Sequence, residues 1–283
     1  MKAHGFSVAI LVSLLLAGCN EQPAGEPVVR AELGEPGPLP EAEEVVALAE
    51  DDLGDDVDRE SACRAVTFES VPLTHCAADP AKHRIRTALK PSNDAAPYRS
   101  LSALSRNLDV ANVAFAVNGG MYDDDGDPIG YYVEASERLK ELNRADGPGN
   151  FHLKPNGVFF GTGGRWQVRA ADDFYSNVRD RPQFGTQSGP MLVVGGELHP
   201  EIQDNGPSRA IRNGVGVGGD GIAHFVRSEA PLSFGQLARY FRDELKVENA
   251  LFLDGNVSAL WDPANDRLDN RTGIGPLIVV TNR

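Results

Sequence analysis

From residue 61 onward the chain alternates short apolar runs with glycine-bearing turns, the pattern of a sheet-rich domain. Residues 63–68 and 71–76 predict two strands around Glu69-Ser70. Residues 84–89 alternate, and 110–117 form an apolar run that ends at Asn118. Three further hairpins are expected: 157–160 with 166–169 across Gly161-Thr162-Gly163-Gly164, 191–194 with 197–198 across Gly195-Gly196, and 214–218 with 223–226 across Gly219-Asp220-Gly221. One helix is clear, with Ser233 as N-cap and Phe234, Leu237, Ala238, Phe241 and Leu245 at helical spacing. A shorter helix is indicated by Leu101, Leu104 and Leu108, whereas 134–142 fits a helix or a hairpin equally. Residues 250–253 read as a buried strand that delivers Asp254 to its end. The expected fold class is α+β, mostly antiparallel sheets with a few helices in a single domain.

The first sixty residues follow a different pattern. A lysine at position 2, an apolar run from 8 to 16 and Leu16-Ala17-Gly18-Cys19 predict an export signal over 1–18. Leu16-Ala17-Gly18-Cys19 resembles the lipobox of bacterial lipoproteins, which implies cleavage before Cys19 and acylation of its thiol and amine. Stable membrane attachment follows from several acyl chains. Asn20 is not the aspartate associated with inner-membrane retention, so the expectation is a periplasmic, lipid-anchored protein of the outer membrane. An ordinary secreted protein is the alternative. Residues 19–60 then read as a tether, rich in proline in its first half; 41–53 offers a marginal helix. Residues 20–60 carry fourteen acids and two bases, a net −12 within the −14 of the whole chain. The domain at 61–283 is therefore nearly neutral. It shows no basic stripe with interleaved aromatics, which argues against nucleic-acid binding.

Cys63 and Cys76 lie opposite each other if the Glu69-Ser70 turn has two residues. A disulfide then fits an exported chain; two buried thiols are the other reading. Asp123-Asp124-Asp125-Gly126-Asp127 looks like part of a calcium loop, but Pro128 replaces the expected glycine and the glutamate that should follow is absent. A solvated turn explains it as well, and no cofactor is expected beyond a divalent cation such as calcium. The histidines show no paired metal spacing. His152 draws attention only because it precedes Lys154-Pro155-Asn156-Gly157.

Five glycine-bearing segments at strand ends hold the candidate chemistry. Asp254, before Gly255, is a carboxylate at a strand edge, or else a turn cap. Arg209, beside the small Ala210, and Arg212 are candidate anion ligands, or surface ion-pair partners. Asn118-Gly119 and Lys154-Pro155-Asn156 supply polar groups beside tight turns. Ser188 lies in Gln-Ser-Gly-Pro, which lacks the flanking glycines of a nucleophile elbow.

Taken in order, these segments resemble the phosphodiester glycosidase family, whose namesake uncovers mannose 6-phosphate by removing N-acetylglucosamine from a diester. The resemblance rests on Phe151-His152-Leu153-Lys154-Pro155-Asn156-Gly157-Val158-Phe159-Phe160, Thr186-Gln187-Ser188-Gly189-Pro190-Met191, Ile211-Arg212-Asn213-Gly214 and Phe252-Leu253-Asp254-Gly255. It covers about 61–283 and is most specific for 117–260. Asn256 stands where the family has a second glycine. The resemblance implies cleavage of a sugar–phosphate bond. Asp254 would stabilise, attack or hydrate the oxocarbenium-like centre. Arg209 would meet the phosphate charge, and Glu134 would serve as a second carboxylate. Asn118, Gly119, Lys154, Asn156, Ser188, Arg212, Gly255 and Asn256 would line the substrate site. The expected partner is an anionic glycan or sugar phosphate. The rival readings are a lipoprotein that binds such a glycan without turnover, and a structural envelope protein whose motifs only build turns.

Overall fold

The computed structural model describes residues 60–92 and 95–283. The export signal, Cys19 and the tether up to residue 59, with the 41–53 stretch, lie outside the described residues.

The domain opens with a hairpin of β1 (Cys63–Phe68) and β2 (Val71–Ala78). Glu69 and Ser70 both take positive φ, the two-residue turn whose twist matches paired strands. In this register Cys63 faces Cys76, and the two form a disulfide. β3 (His83–Ala88), α1 (Leu101–Ser105) and β4 (Val113–Asn118) follow. The run expected from residue 110 begins instead with a 3-10 turn, Val110–Asn112. The Asp109 carboxylate caps that turn by accepting from Ala111 N–H, so the strand starts three residues later. β5 (Tyr132–Glu134) and β6 (Glu137–Lys140) resolve the ambiguous 134–142 segment as a hairpin. Ala135 and Ser136 turn it at positive φ, which a helix cannot contain.

β7 (Gly157–Thr162), β8 (Arg165–Ala170), α2 (Ala171–Asn177), β9 (Phe184–Ser188), β10 (Met191–Val194) and β11 (Glu197–Leu198) come next. β12 (Asn213–Val217) and β13 (Ala223–Ser228) form the third glycine hairpin. α3 (Phe234–Arg239) starts in a capping box between Ser233 and Gln236 and passes into a π-helical turn, Tyr240–Glu244. β14 (Ala250–Phe252), β15 (Leu260–Asp262), β16 (Arg267–Leu268) and β17 (Leu277–Asn282) complete the chain.

These strands build a seven-stranded sheet, β1-β2-β13-β12-β14-β10-β11, and two five-stranded sheets, β16-β15-β4-β17-β3 and β6-β5-β9-β7-β8. Neighbouring strands pair antiparallel in each sheet, and the fold is the expected α+β. One core joins all three sheets. Phe225 of β13 meets Phe115 of β4 at 5.3 Å and Phe159 of β7 at 5.7 Å, both edge to face. Such pairs add about 1 kcal/mol each beyond their buried area. β4 is buried along its whole length because both its faces are covered. Phe115 and Val117 enter the central core, and Ala116 packs in a second cluster with Leu101 and Leu104 of α1. The apolar run ending at Asn118 is thus a strand with no wet face, and Asn118 is carried into the interior with it.

Candidate active site

Asn118 is 1% exposed, and a buried amide must spend its hydrogen bonds. Its Nδ2 donates to the backbone carbonyl of Asp254 at 2.8 Å. Its Oδ1 accepts from Asn213 Nδ2 at 2.8 Å and from Ala259 N–H at 3.0 Å. Ser258 Oγ lies 2.9 Å from Gly255 O and 3.2 Å from Asn213 Oδ1, with a single proton to share between them. Asn213 begins β12 and Asn118 ends β4, so the amides of two sheets meet beneath one short loop, residues 254–259. Backbone contacts finish the clamp: Asp254 N–H donates to Gly119 O at 3.2 Å, and Leu253 N–H to Asn213 O at 3.1 Å. Asp254 itself is half-buried, at the end of the apolar strand β14, as the sequence predicts.

The glycines of this region are set by close approach. A Cβ on Gly120 would lie 2.1 Å from Gln187 O, and Gly120 N–H donates to Thr186 Oγ1 at 3.1 Å. The 118–121 segment therefore lies flush against β9. Gly255 adopts a 3-10 turn with Asn256 and Val257, and a Cβ there would meet the Phe252 ring at 2.5 Å.

Phe252 leads to Arg212, which is 4% exposed. The Arg212 guanidinium stacks 3.6 Å from the centre of the Phe234 ring, and Phe234 packs against Phe252. It donates to Leu232 O, Ser208 O and Ser208 Oγ. Burial lowers its pKa to about 10. Arg209 is exposed instead and donates to Gln236 Oε1 at 2.6 Å, an acceptor that also serves the Ser233 cap. The two arginines lie outside β12. Their separation into an exposed and a buried cation comes from Ala210, which bridges to Leu232.

The remaining predicted residues divide. Ser188 is fully buried at the end of β9, and its Oγ has no hydrogen-bond partner. Asn156 is buried and donates to Phe151 O at 2.8 Å. It supports Gly189, where a Cβ would stand 2.9 Å from the Asn156 Cβ. Pro190 O in turn accepts from Phe252 N–H, so this layer underlies β14. Lys154 turns outward to Asp146 and Arg144 O, and His152 binds Ala145 O through Nδ1. Glu134 accepts from Tyr132 O–H and Leu89 N–H at 2.8 and 3.0 Å. Burial raises its pKa. It faces a cleft of about 440 Å³ with Lys90 and Asp127, whose lining includes no residue of the amide clamp. The acidic turn at 123–127 closes on itself, with Asp123 Oδ1 accepting from Asp127 N–H. Among the described residues no group of three or more His, Cys, Asp or Glu side chains is arranged to hold a metal ion.

Asn213, Ser258 and Tyr122 were not among the predicted site residues. Asn213-Gly214 and the serine after Asp254-Gly255 carried the signal, since each falls in a glycine-bearing segment. Tyr122 donates to Gly273 O at 2.6 Å. Its pKa is raised by burial and then by the charge of Asp254, so the phenol lies in that carboxylate's field. Behind the clamp, Arg227 and Arg267 pair with Glu229 and Asp269, and Asp269 accepts from Leu260 N–H. Burial would raise the Glu229 pKa, but hydrogen bonds from Arg267, Thr74 and Arg227 bring it to about 2.

The amide clamp, the Asp254-Gly255 turn and the Gly120 approach fall within one stretch of sequence. The sequence profile of the phosphodiester glycosidase family (NAGPA) matches residues 111–280 of the chain. The chain belongs to that family. It is 36% identical over 184 residues to the uncharacterized protein YigE of Escherichia coli K12, covering 65% of this chain and 71% of YigE. Among solved structures it resembles the catalytic domain of zebrafish N-acetylglucosamine-1-phosphodiester alpha-N-acetylglucosaminidase, auto-inhibited by its pro-peptide. That match has a TM-score of 0.54 at 13% identity, over 78% of this chain and 82% of the zebrafish chain. At that identity the likeness is one of fold.

Proposed function

We propose that this protein is a hydrolase that cleaves the glycosidic bond of a sugar phosphodiester or a related anionic glycan, attached to the cell envelope through a lipid on Cys19. The observation that carries the reading is the half-buried Asp254, whose backbone is held by the buried amide of Asn118, with the Asn213 amide and the Ser258 hydroxyl bonded behind it. A clamp without net charge fixes the backbone that bears the carboxylate without neutralising it, which suits a group that must face a developing oxocarbenium ion.

In this reading the bond between the anomeric carbon and the phosphate oxygen breaks, and its electrons leave with the phosphate. Asp254 stabilises the sugar cation, attacks it, or takes a proton from the water that does. A phosphate monoester is a good leaving group, so the leaving side needs a cation more than an acid. Arg209, exposed and bonded to Gln236, is the candidate for that cation that the family resemblance implies. Arg212 shapes the site from beneath by holding Phe234 and Phe252. A glycan-binding role without turnover is the rival.

Incubation with a chromogenic sugar phosphodiester tests the proposal. Turnover by the wild type and its loss in Asp254→Asn, with thermal unfolding unchanged, would support it. Glycan binding without turnover in the wild type would favour the rival reading. Equal turnover in both proteins would overturn the assignment of Asp254.

A further inference from the structure

Arg99 is a cation that sequence reasoning did not single out, and its surroundings are built for it. Its backbone is left-handed, with φ of 55°, and its carbonyl accepts from Ile274 N–H at 3.0 Å. The guanidinium carbon lies 5.4 Å from the centre of the Tyr122 ring. Two glycines make room for this pair. A Cβ on Gly126 would fall 1.9 Å from Arg99 Nη1, and one on Gly275 would fall 2.1 Å from the Tyr122 ring. The Tyr122 phenol is tied to Gly273 O, which fixes the ring under the guanidinium.

The fork is only partly used. Nη2 has one long contact, 3.5 Å to Asp124 O. Nη1 is buried and has no hydrogen-bond partner. A buried charged donor without an acceptor costs folding free energy, and native structures keep few of them. One resolution is an acceptor that arrives with a ligand. Nη1 is closed off against Gly126, but the residue as a whole is only partly buried, so a ligand would meet the fork from its exposed side.

The position links this fork to Asp254. Asp254 N–H is bonded to Gly119 O, and Gly119 N–H to Pro276 O at 2.7 Å. The Gly273–Pro276 segment that holds Tyr122 is thus clamped to the strand end that holds Asp254. The Tyr122 phenol also feels the Asp254 charge.

We propose that Arg99 binds the phosphoryl group of the ligand at the Asp254 site, with Tyr122 as the residue that positions its guanidinium. The ligand class is a phosphomonoester or phosphodiester, whose oxygens match an arginine fork. The assignment rests on the hydrolase reading for its place in a reaction, but not for the binding itself.

Inorganic phosphate, titrated by calorimetry into the full chain, separates the two. Arg99→Gln and Arg99→Asn should each weaken phosphate binding at least tenfold. Asparagine tolerates the left-handed backbone, so it guards against loss of folding. Arg106→Gln, which removes an equal charge from the far end of α1, should leave the affinity within twofold. A purely structural role for Arg99 would lower the thermal midpoint and leave the affinity of the folded protein unchanged. That result, or no phosphate binding by the wild type, overturns the proposal. Phosphate binding that depends on Arg99, with no turnover of any sugar phosphodiester, would sustain it while removing the hydrolase reading.

Discussion

Asn118 Nδ2 donates to the Asp254 carbonyl at 2.8 Å, joining the ends of two strands 136 residues apart in the chain. The same side chain satisfies Asn213 and Ala259, so its removal takes a partner from three groups at once. Asn118→Ala should lower stability by about 2–4 kcal/mol, the scale for unpaired buried polar groups. Urea denaturation reads that loss. Turnover should fall further than in a variant destabilised equally at a distant core position, because the loop carrying Asp254 loses its anchor.

Gly120 and Gly255 should respond differently to alanine. At Gly120 the new methyl meets a backbone oxygen of β9 at 2.1 Å, which cannot turn aside. Gly120→Ala should cost several kcal/mol, roughly the upper range for overpacking, and show as a poor yield of folded protein. At Gly255 the obstacle is the Phe252 ring, a side chain that can shift. Gly255→Ala should fold, and should alter turnover or ligand affinity more than the thermal midpoint.

The Cys63–Cys76 disulfide closes a separation of 13 residues. By the chain-entropy scale for a loop of that size, its loss should cost about 3 kcal/mol. Denaturation of the double variant Cys63→Ser, Cys76→Ser measures this. An equal stability for the variant and the wild type would mean that the hairpin turn alone already organises β1 and β2.

His75 Nε2 and His224 Nδ1 lie 3.0 Å apart, and Arg64 approaches His75 Nδ1. A neutral His75 that accepts from Arg64 at Nδ1 and donates to His224 through Nε2 fits this arrangement. Burial, followed by the charges of His224 and Arg64, lowers the His75 pKa to about 4; burial lowers that of His224 as well. The unfolded chain protonates near pH 6.5, so it binds protons that the folded state refuses. The stability contributed by the neutral pair is complete above about pH 6.5 and is lost as pH falls toward 4. Denaturation midpoints measured across that range should decline in the wild type and flatten in His75→Gln.

Much of the fold is legible because the turns are local. Glu69-Ser70, Gly163-Gly164, Gly195-Gly196 and Gly221 reverse the chain at positive φ, and each hairpin forms where its glycines or short polar turn predict. α2 is less legible: it is seven residues long and Ala170 gives it no side-chain cap. The site divides along the same line. Asp254 and Asn118 end apolar strands, which a sequence displays. The burial of Arg212 depends on Phe234 and Phe252, 22 and 40 residues away. The partners of Arg99 and Tyr122 come from the 273–275 loop, and nothing local to either residue announces them.

β17, the last strand in the chain, is not at an edge. It lies between β3 and β4, and its pairing with each fixes their register. In that sheet β3 has no strand partner but β17, whereas β4 is also paired with β15 next to Asn118. The residues of β3 meet their strand partners nearly two hundred positions later, in β17. Without Leu277–Asn282 the chain would hold every residue of the amide clamp, with β3 lacking its partner strand and β4 paired only with β15.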